Sequence, residues 1–384
     1  MSFFPASRTG SPSVSRRNFM RFASMVAAGT ALPFADPFTE RTLAQIPTLK
    51  HAPPPDAVLI NLNENPMGPA PEALEAAYAA TRNGGRYQDI QHAHLKQALA
   101  DREGLKPDYV QEFAGSSDAL LRIVLAFTSP SRPLIVGDPT FEAAEKTARL
   151  AGAPVIRVPL TKTYAFDVKA MVAASPNAGL YYIVSPNNPT GTVTPLADVK
   201  WLLENKPKGS IVLLDEAYIH IAKDGGEPAS GLVAADKDII VLRTFSKIYG
   251  LAGLRAGAAF ARPDLLDKIR IYSSFLMPAS GMAAAVASLN SKGLVEQRRT
   301  TITNIREDVL SFLEKQNTPY IPNSQANCFM FDAKRPGGEV IEALQEQKVY
   351  VGRAWPIYPT YVRVTVGTKE DMEKFKAAFV KVTT

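Results

Sequence analysis

One cysteine in 384 residues, Cys328, excludes an intrachain disulfide, and a lone thiol reads as a small buried residue rather than a nucleophile. Histidine is scarce as well: His51, His92, His94 and His220 are the full set. Only His92-Ala-His94 brings two together, and that pair is expected at a solvated helix start, so no metal site is predicted. Long apolar runs are missing; the stretch over 22–35 is too short to span a bilayer. Low-complexity tracts, charge blocks and short-period repeats are also absent, and no helix-turn-helix segment is added to the chain. The net charge is +6. About half of it belongs to the first 44 residues, where Arg8, Arg16, Arg17, Arg21 and Arg41 outnumber Asp36 and Glu40. What remains leaves no nucleic-acid footprint.

The arginine-rich start carries its own signal. Ser15-Arg-Arg-Asn-Phe-Met20 precedes a mildly apolar, Ala- and Gly-rich run and then polar, Pro-rich sequence. Paired arginines, a short apolar segment and small residues suited to cleavage form the pattern of a twin-arginine signal peptide over 1–44, ending at Ala35 or Ala44. A periplasmic or otherwise exported location is therefore expected, reached by a protein already folded. A Pro-rich linker over 45–57 follows.

Beyond it, 46% hydrophobic residues suffice for a large core and for two closely joined domains. A strand is predicted over 58–62, and helices over 71–81, 93–103 and 117–127, the last with Leu120, Leu121, Val124 and Leu125 on one face. Strands over 134–136, 155–158, 180–184, 211–214, 239–242 and 256–260 then alternate with helices starting at Phe141 and at Thr194-Pro195, where Thr194 is expected as the cap. That helix should turn Leu196, Val199, Leu202 and Leu203 to the core. Such alternation predicts a mostly parallel sheet covered by helices on both faces. From about Glu296 the pattern changes. A long helix with Ile302, Ile305, Val309, Phe312 and Leu313 on one face leads to strands over 328–331, 349–352 and 361–366 and helices over 339–346 and 369–380, a smaller α/β domain. The predicted organisation is an N-terminal segment over 58–70, a large domain over 71–290 and a small one over 291–384.

Three segments converge on one chemistry. Thr244-Phe-Ser-Lys247 follows an apolar strand, and Arg255 lies eight residues on. A lysine is a useful nucleophile when its amine is partly desolvated, and Thr244, Ser246 and Arg255 suit a phosphate dianion. Taken alone, Ser246-Lys247 also fits a surface turn. Ser185-Pro-Asn-Asn-Pro-Thr-Gly191 places Asn187 and Asn188 at a strand's carboxyl end, where open α/β sheets bind ligands. Asp215 and Tyr218 end another strand. Asp215 could bind a metal or cap a helix, but an acid there is also what a lysine-bound pyridoxal phosphate requires at its ring nitrogen. Gly115-Ser116-Ser117 opens a helix, a natural phosphate seat.

With these pieces and Asn61-Leu-Asn-Glu-Asn-Pro66, Arg86-Tyr87, Gly115-Ser-Ser-Asp118, Asp138-Pro-Thr-Phe141 and Arg363-Val-Thr-Val-Gly367 in order, the chain from about Asn61 to about Phe379 resembles the fold-type I aminotransferases. Within them it resembles the histidinol-phosphate aminotransferase-like group. The resemblance implies the pyridoxal-phosphate-dependent transferase fold, with pyridoxal 5'-phosphate as cofactor and ping-pong transfer between an amino acid, or a histidinol-phosphate-like amine, and a 2-oxo acid. It implies Lys247 as the Schiff-base lysine and proton carrier, Asp215 at the pyridine nitrogen, and Asn188 and Tyr218 at the phenolic oxygen. Ser116, Ser117, Thr244, Ser246 and Arg255 would hold the phosphate. Phe141 would stack on the ring, where many relatives carry Tyr. Tyr87 would reach the cofactor of a neighbouring subunit, which implies a homodimer with shared sites. Arg363 would grip the substrate's anionic group, with Arg353 a second arginine for phosphate-bearing substrates and Asn327 on the same rim. The aromatic run Ala354-Trp355-Pro-Ile-Tyr358-Pro-Thr-Tyr361 favours a bulky or aromatic amino acid, and an exported enzyme would work away from histidine biosynthesis. The same fold and lysine also support decarboxylases, lyases and amine oxidases, and aminotransferase-like domains that only sense ligands.

Overall fold

A computed structural model describes residues 52–272 and 276–383. The expected signal peptide, with Arg16, Arg17 and both cleavage alanines, and most of the linker lie outside the described residues.

Seven strands build the main sheet: β2 (Val110–Phe113), β3 (Leu134–Asp138), β4 (Val155–Pro159), β5 (Leu180–Val184), β6 (Ile211–Asp215), β7 (Ile239–Thr244) and β8 (Gly257–Phe260). Their order is β2-β8-β7-β6-β5-β3-β4, and only β8 runs against the others. Strands β5, β6 and β7 are buried along their whole length, the near-continuous apolar run of a parallel strand covered on both faces. The arginine on these strands is compensated, although the Tyr181 hydroxyl on β5 is buried without a partner. Arg243 on β7 lies 2.7 Å from Glu216 and 3.3 Å from Glu103, and a buried charge needs such compensation.

Strand β1 (Val58–Ile60) pairs in parallel with β10 (Val349–Val351), and β11 (Tyr361–Thr365) pairs antiparallel with β9 (Cys328–Asp332). The N-terminal segment thus joins the C-terminal strands across nearly 300 positions of sequence, with Val58 opposite Val349.

Several sequence expectations are corrected. The helix expected from Ala93 begins at Asp89, so His92 sits inside it with Nδ1 2.9 Å from Oε1 of the buried Glu112, whereas His94 is exposed. Helix Ser116–Phe127 buries Ala119, Leu120, Ile123, Val124 and Phe127, whereas Leu121 and Leu125 face outward. Its stripe follows the i, i+3, i+4, i+7 spacing from Leu120, and Leu121 and Leu125 lie a 100° step off that line. Thr194 does not cap helix Leu196–Asn205: its Oγ1 accepts from Phe166 N at 3.1 Å, tying two segments together. The long helix Leu294–Lys315 also buries Arg298 and Arg306, which donate to the carbonyls of Ile248 and Ala326. Helix Ala279–Asn290 had no apolar period to reveal it; its small residues let it pack closely on helix Pro71–Thr81.

Candidate active site

Parallel strands place their carboxyl ends on one rim, and here that rim collects the chemistry. Val184 pairs with Asp215 and Asp215 with Leu242, so the Ser185–Gly191 loop, Asp215 and the Thr244–Lys247 turn are neighbours. Because β8 runs backwards, its start also lies on this rim, opposite Phe113 at the end of β2. Arg255 and Gly115-Ser116 are thereby brought side by side. Phe141 reaches the same edge from β3.

Lys247 Nζ donates to Asn63 O at 2.8 Å and Leu62 O at 3.4 Å, and lies 5.6 Å from the centre of the Tyr218 ring. Burial lowers its pKa to about 8, and the positive charge of Arg363 acts in the same direction. Asp215 accepts from Tyr182 Oη at 3.0 Å and from Ala217 N at 3.1 Å. Burial raises its pKa to about 6, and those two bonds and Lys247 oppose the rise. A carboxylate so enclosed is stable as an anion chiefly beside a cation, and a protonated pyridine nitrogen is one. Tyr218, whose phenol is kept protonated by burial, accepts from Asn63 Nδ2 at 3.0 Å and keeps its own proton to donate.

The residues expected at a phosphate form a cradle. Gly115 has φ +89°, a region side chains seldom enter, and a Cβ there would run into the Arg255 guanidinium. Arg255, itself at φ +56°, donates to the carbonyls of Ala252 (2.8 Å) and Ala114 (3.3 Å). Ser116 and Ser117 open the helix beside it, where free amides and the helix dipole favour an anion. Thr244 Oγ1 accepts from Ser246 N at 3.1 Å, closing the turn before Lys247. A cationic fork, hydroxyls and helix amides around a glycine that leaves room fit a phosphate group. The buried acid and the desolvated amine fit the rest of pyridoxal phosphate.

The two predicted substrate arginines differ. Arg363, buried, donates from Nη1 to Asn188 Oδ1 at 2.8 Å and from Nη2 to Asn61 O; its Nε has no partner. Arg353 is ion-paired with Glu142 and stands 4.1 Å over the Trp355 ring. Asn327 uses its amide to hold the carbonyls of Asn63 (3.1 Å) and Glu64 (3.0 Å), leaving Oδ1 unpartnered. Tyr87 stands apart from the cluster, 82% exposed.

Sequence reasoning passed over Asn63, Tyr182 and Glu142. Asn63 is the hub of the cleft. At φ +54° it bonds Tyr218, Cys328 Sγ (3.3 Å) and Thr365, while its carbonyl takes the Lys247 amine. It stands within the Asn61–Pro66 motif, but only its backbone twist and partners, supplied from 155 to 302 residues away, give it this place. Tyr182 had no signal beyond an apolar strand, and Glu142 none beyond its position after Phe141.

The chain is similar to known proteins along nearly all of its described length. The family model for class I and II aminotransferases matches residues 55–379. The histidinol-phosphate aminotransferase of Moorella thermoacetica is 34% identical over 333 residues, covering 85% of this chain and 86% of that protein. An aromatic amino acid aminotransferase of Mycobacterium bovis is also 34% identical, over 84% of this chain and 91% of its own. The crystal structure of the histidinol-phosphate aminotransferase from Sinorhizobium meliloti in complex with pyridoxal-5'-phosphate superposes with a TM-score of 0.80 at 26% identity, over 85% of this chain and 91% of that one. A lysine amine and a buried acid on one rim, and a match along nearly all of the described chain, lead to the same conclusion: this protein belongs to the class I and II aminotransferases and transfers amino groups with pyridoxal 5'-phosphate.

Proposed function

We propose that Lys247 holds the cofactor and carries the proton in this transamination, and that the enzyme acts as an exported homodimer. The observation that carries the first part is the Lys247 amine, turned onto Asn63 O with a pKa near 8, which lets it give up and regain a proton close to neutral pH. Pyridoxal 5'-phosphate, when bound, supplies the aldehyde and the electron sink. Asp215 would hold its ring nitrogen in the protonated form. Tyr218 and Asn188 would donate to the phenolic oxygen; Arg363 occupies the carbonyl oxygen of the Asn188 amide and leaves its NH2 available. Arg255, Ser116, Ser117, Thr244 and Ser246 would take the phosphate, and Phe141 would cover the ring. Arg363 would bind the substrate carboxylate, with a fork that a monodentate cation cannot match. Asn327 would keep the segment bearing Asn63 against the cleft. Reduction of the loaded protein with borohydride followed by peptide mapping should find the cofactor on Lys247. A fully active Lys247→Ala enzyme carrying the same label would refute this.

The homodimer is supported by the exposure of Tyr87 together with Leu74, Tyr78 and Ile90 in the single chain. Mixing Tyr87→Phe and Lys247→Ala chains should restore one intact site per hybrid; an active monomer would contradict it. Export is supported by Arg16-Arg17 and the apolar run after them. Replacing both arginines with lysine should leave the protein in the cytoplasm at full length, and a wild-type protein found there uncleaved would dismiss the proposal.

A further inference from the structure

Apart from Arg255 in the phosphate cradle, the cleft carries two arginines, Arg353 and Arg363, and only one of them has net charge to offer. Among the described residues no carboxylate lies within ion-pair distance of Arg363; its partners are the neutral Asn188 side chain and the Asn61 carbonyl. Arg353 is held from two sides. Glu142 takes its guanidinium in an ion pair, and the indole of Trp355 lies beneath it at 4.1 Å. Trp355 is 2% exposed and lies 5.5 Å from the Arg363 guanidinium too, so one rigid ring spaces the two cations. Glu142 arises from the turn that follows Phe141 on the sheet rim, whereas Arg353 follows β10. The pair therefore bridges the large sheet and the C-terminal strands at the mouth of the cleft.

We propose that Glu142 is a specificity-determining residue: by neutralising Arg353 it makes the site favour substrates with an uncharged side chain over those with a second acid or a phosphate. The inference rests on the reading that Arg363 binds the substrate carboxylate. A dianionic substrate must compete with Glu142 for Arg353, and it also brings its own charge close to that carboxylate. A neutral side chain meets a pair whose charges cancel. The partial exposure of both partners, 26% and 20%, keeps the pair modest in strength, so the effect is a bias and not a barrier.

Calorimetry on the holoenzyme with two unreactive acids separates the outcomes. Glutarate carries a second carboxylate, whereas 3-phenylpropionate has one carboxylate and an aromatic side chain. Glu142→Gln should tighten glutarate binding on the order of tenfold, the scale of one charge-assisted hydrogen bond set free, and leave 3-phenylpropionate unchanged. The Glu142→Gln, Arg353→Gln double variant should lose that gain, which a merely structural role for Glu142 would not produce. Equal shifts for both acids, or an unchanged glutarate affinity in Glu142→Gln, would overturn the proposal while leaving Arg363 in place. Binding of both acids that is indifferent to Arg363→Lys would instead remove the carboxylate assignment, and the inference with it.

Discussion

Replacing Tyr182 with phenylalanine removes one oxygen and reports on Asp215. Tyr182 is fully buried, and its phenol, kept protonated by burial and by the neighbouring carboxylate, donates at 3.0 Å to Asp215 Oδ2. A hydrogen bond to a charged acceptor contributes about 1.5–3 kcal/mol. At about 1.36 kcal/mol per pKa unit, its loss should lift the Asp215 carboxyl by about one to two units above its present value of about 6. The sign follows from linkage. The folded pKa already exceeds the unfolded one, so the folded apo-protein binds the extra proton and loses stability as pH rises from about 4 to its folded pKa. In Tyr182→Phe that decline should continue past neutrality. Urea denaturation of the apo-proteins at pH 5 and pH 8 should give a small difference between wild type and variant at pH 5, where Asp215 is protonated in both. At pH 8 the gap should widen by about 1–3 kcal/mol. A protonated Asp215 also cannot hold a protonated ring nitrogen, so cofactor affinity at pH 7 should fall by roughly 10- to 100-fold, from the same energy. A stability difference independent of pH, with unchanged cofactor affinity, would refute the idea that Tyr182 keeps Asp215 ionised.

Further measurements probe the other parts of the cleft. The association rate of pyridoxal phosphate with apo-protein should rise through a midpoint near pH 8, because only the neutral Lys247 amine attacks the aldehyde and its pKa is lowered to about 8; a midpoint near 10 would mean the amine is solvated. Arg363→Lys should raise the amino-acid KM strongly, by on the order of 2–3 kcal/mol, since lysine keeps the charge and loses the fork; an unchanged KM would place the carboxylate elsewhere. Gly115→Ala should weaken cofactor binding by at least about tenfold, because φ +89° and the Arg255 guanidinium leave no place for a methyl group; unaltered affinity would show that the cradle yields easily.

Local elements and the chemically distinctive residues are legible from side-chain type and spacing. Apolar strands at 180–184 and 239–242 are legible because strands covered on both faces need uninterrupted apolar runs. Lys247, Asp215, Asn188 and Arg255 stand at strand ends, and that is where the fold gathers its ligand-binding groups. Leu121 and Leu125 are as apolar as the buried residues beside them, and only the sheet beneath decides which side of the helix is covered. Tertiary structure alone decided the rest. The reversed β8 brings Arg255 to Gly115, a meeting of residues 140 positions apart that no local pattern encodes. Asn63 became a hub through partners on strands that return only at Cys328 and Thr365. The pairing of Glu142 with Arg353 followed from two loops, 211 residues apart, closing over one indole. Side-chain type and spacing report what a residue can do. Charge compensation and burial depend on which distant segments the chain folds together, and these set whether Arg353 and Asp215 keep their charge.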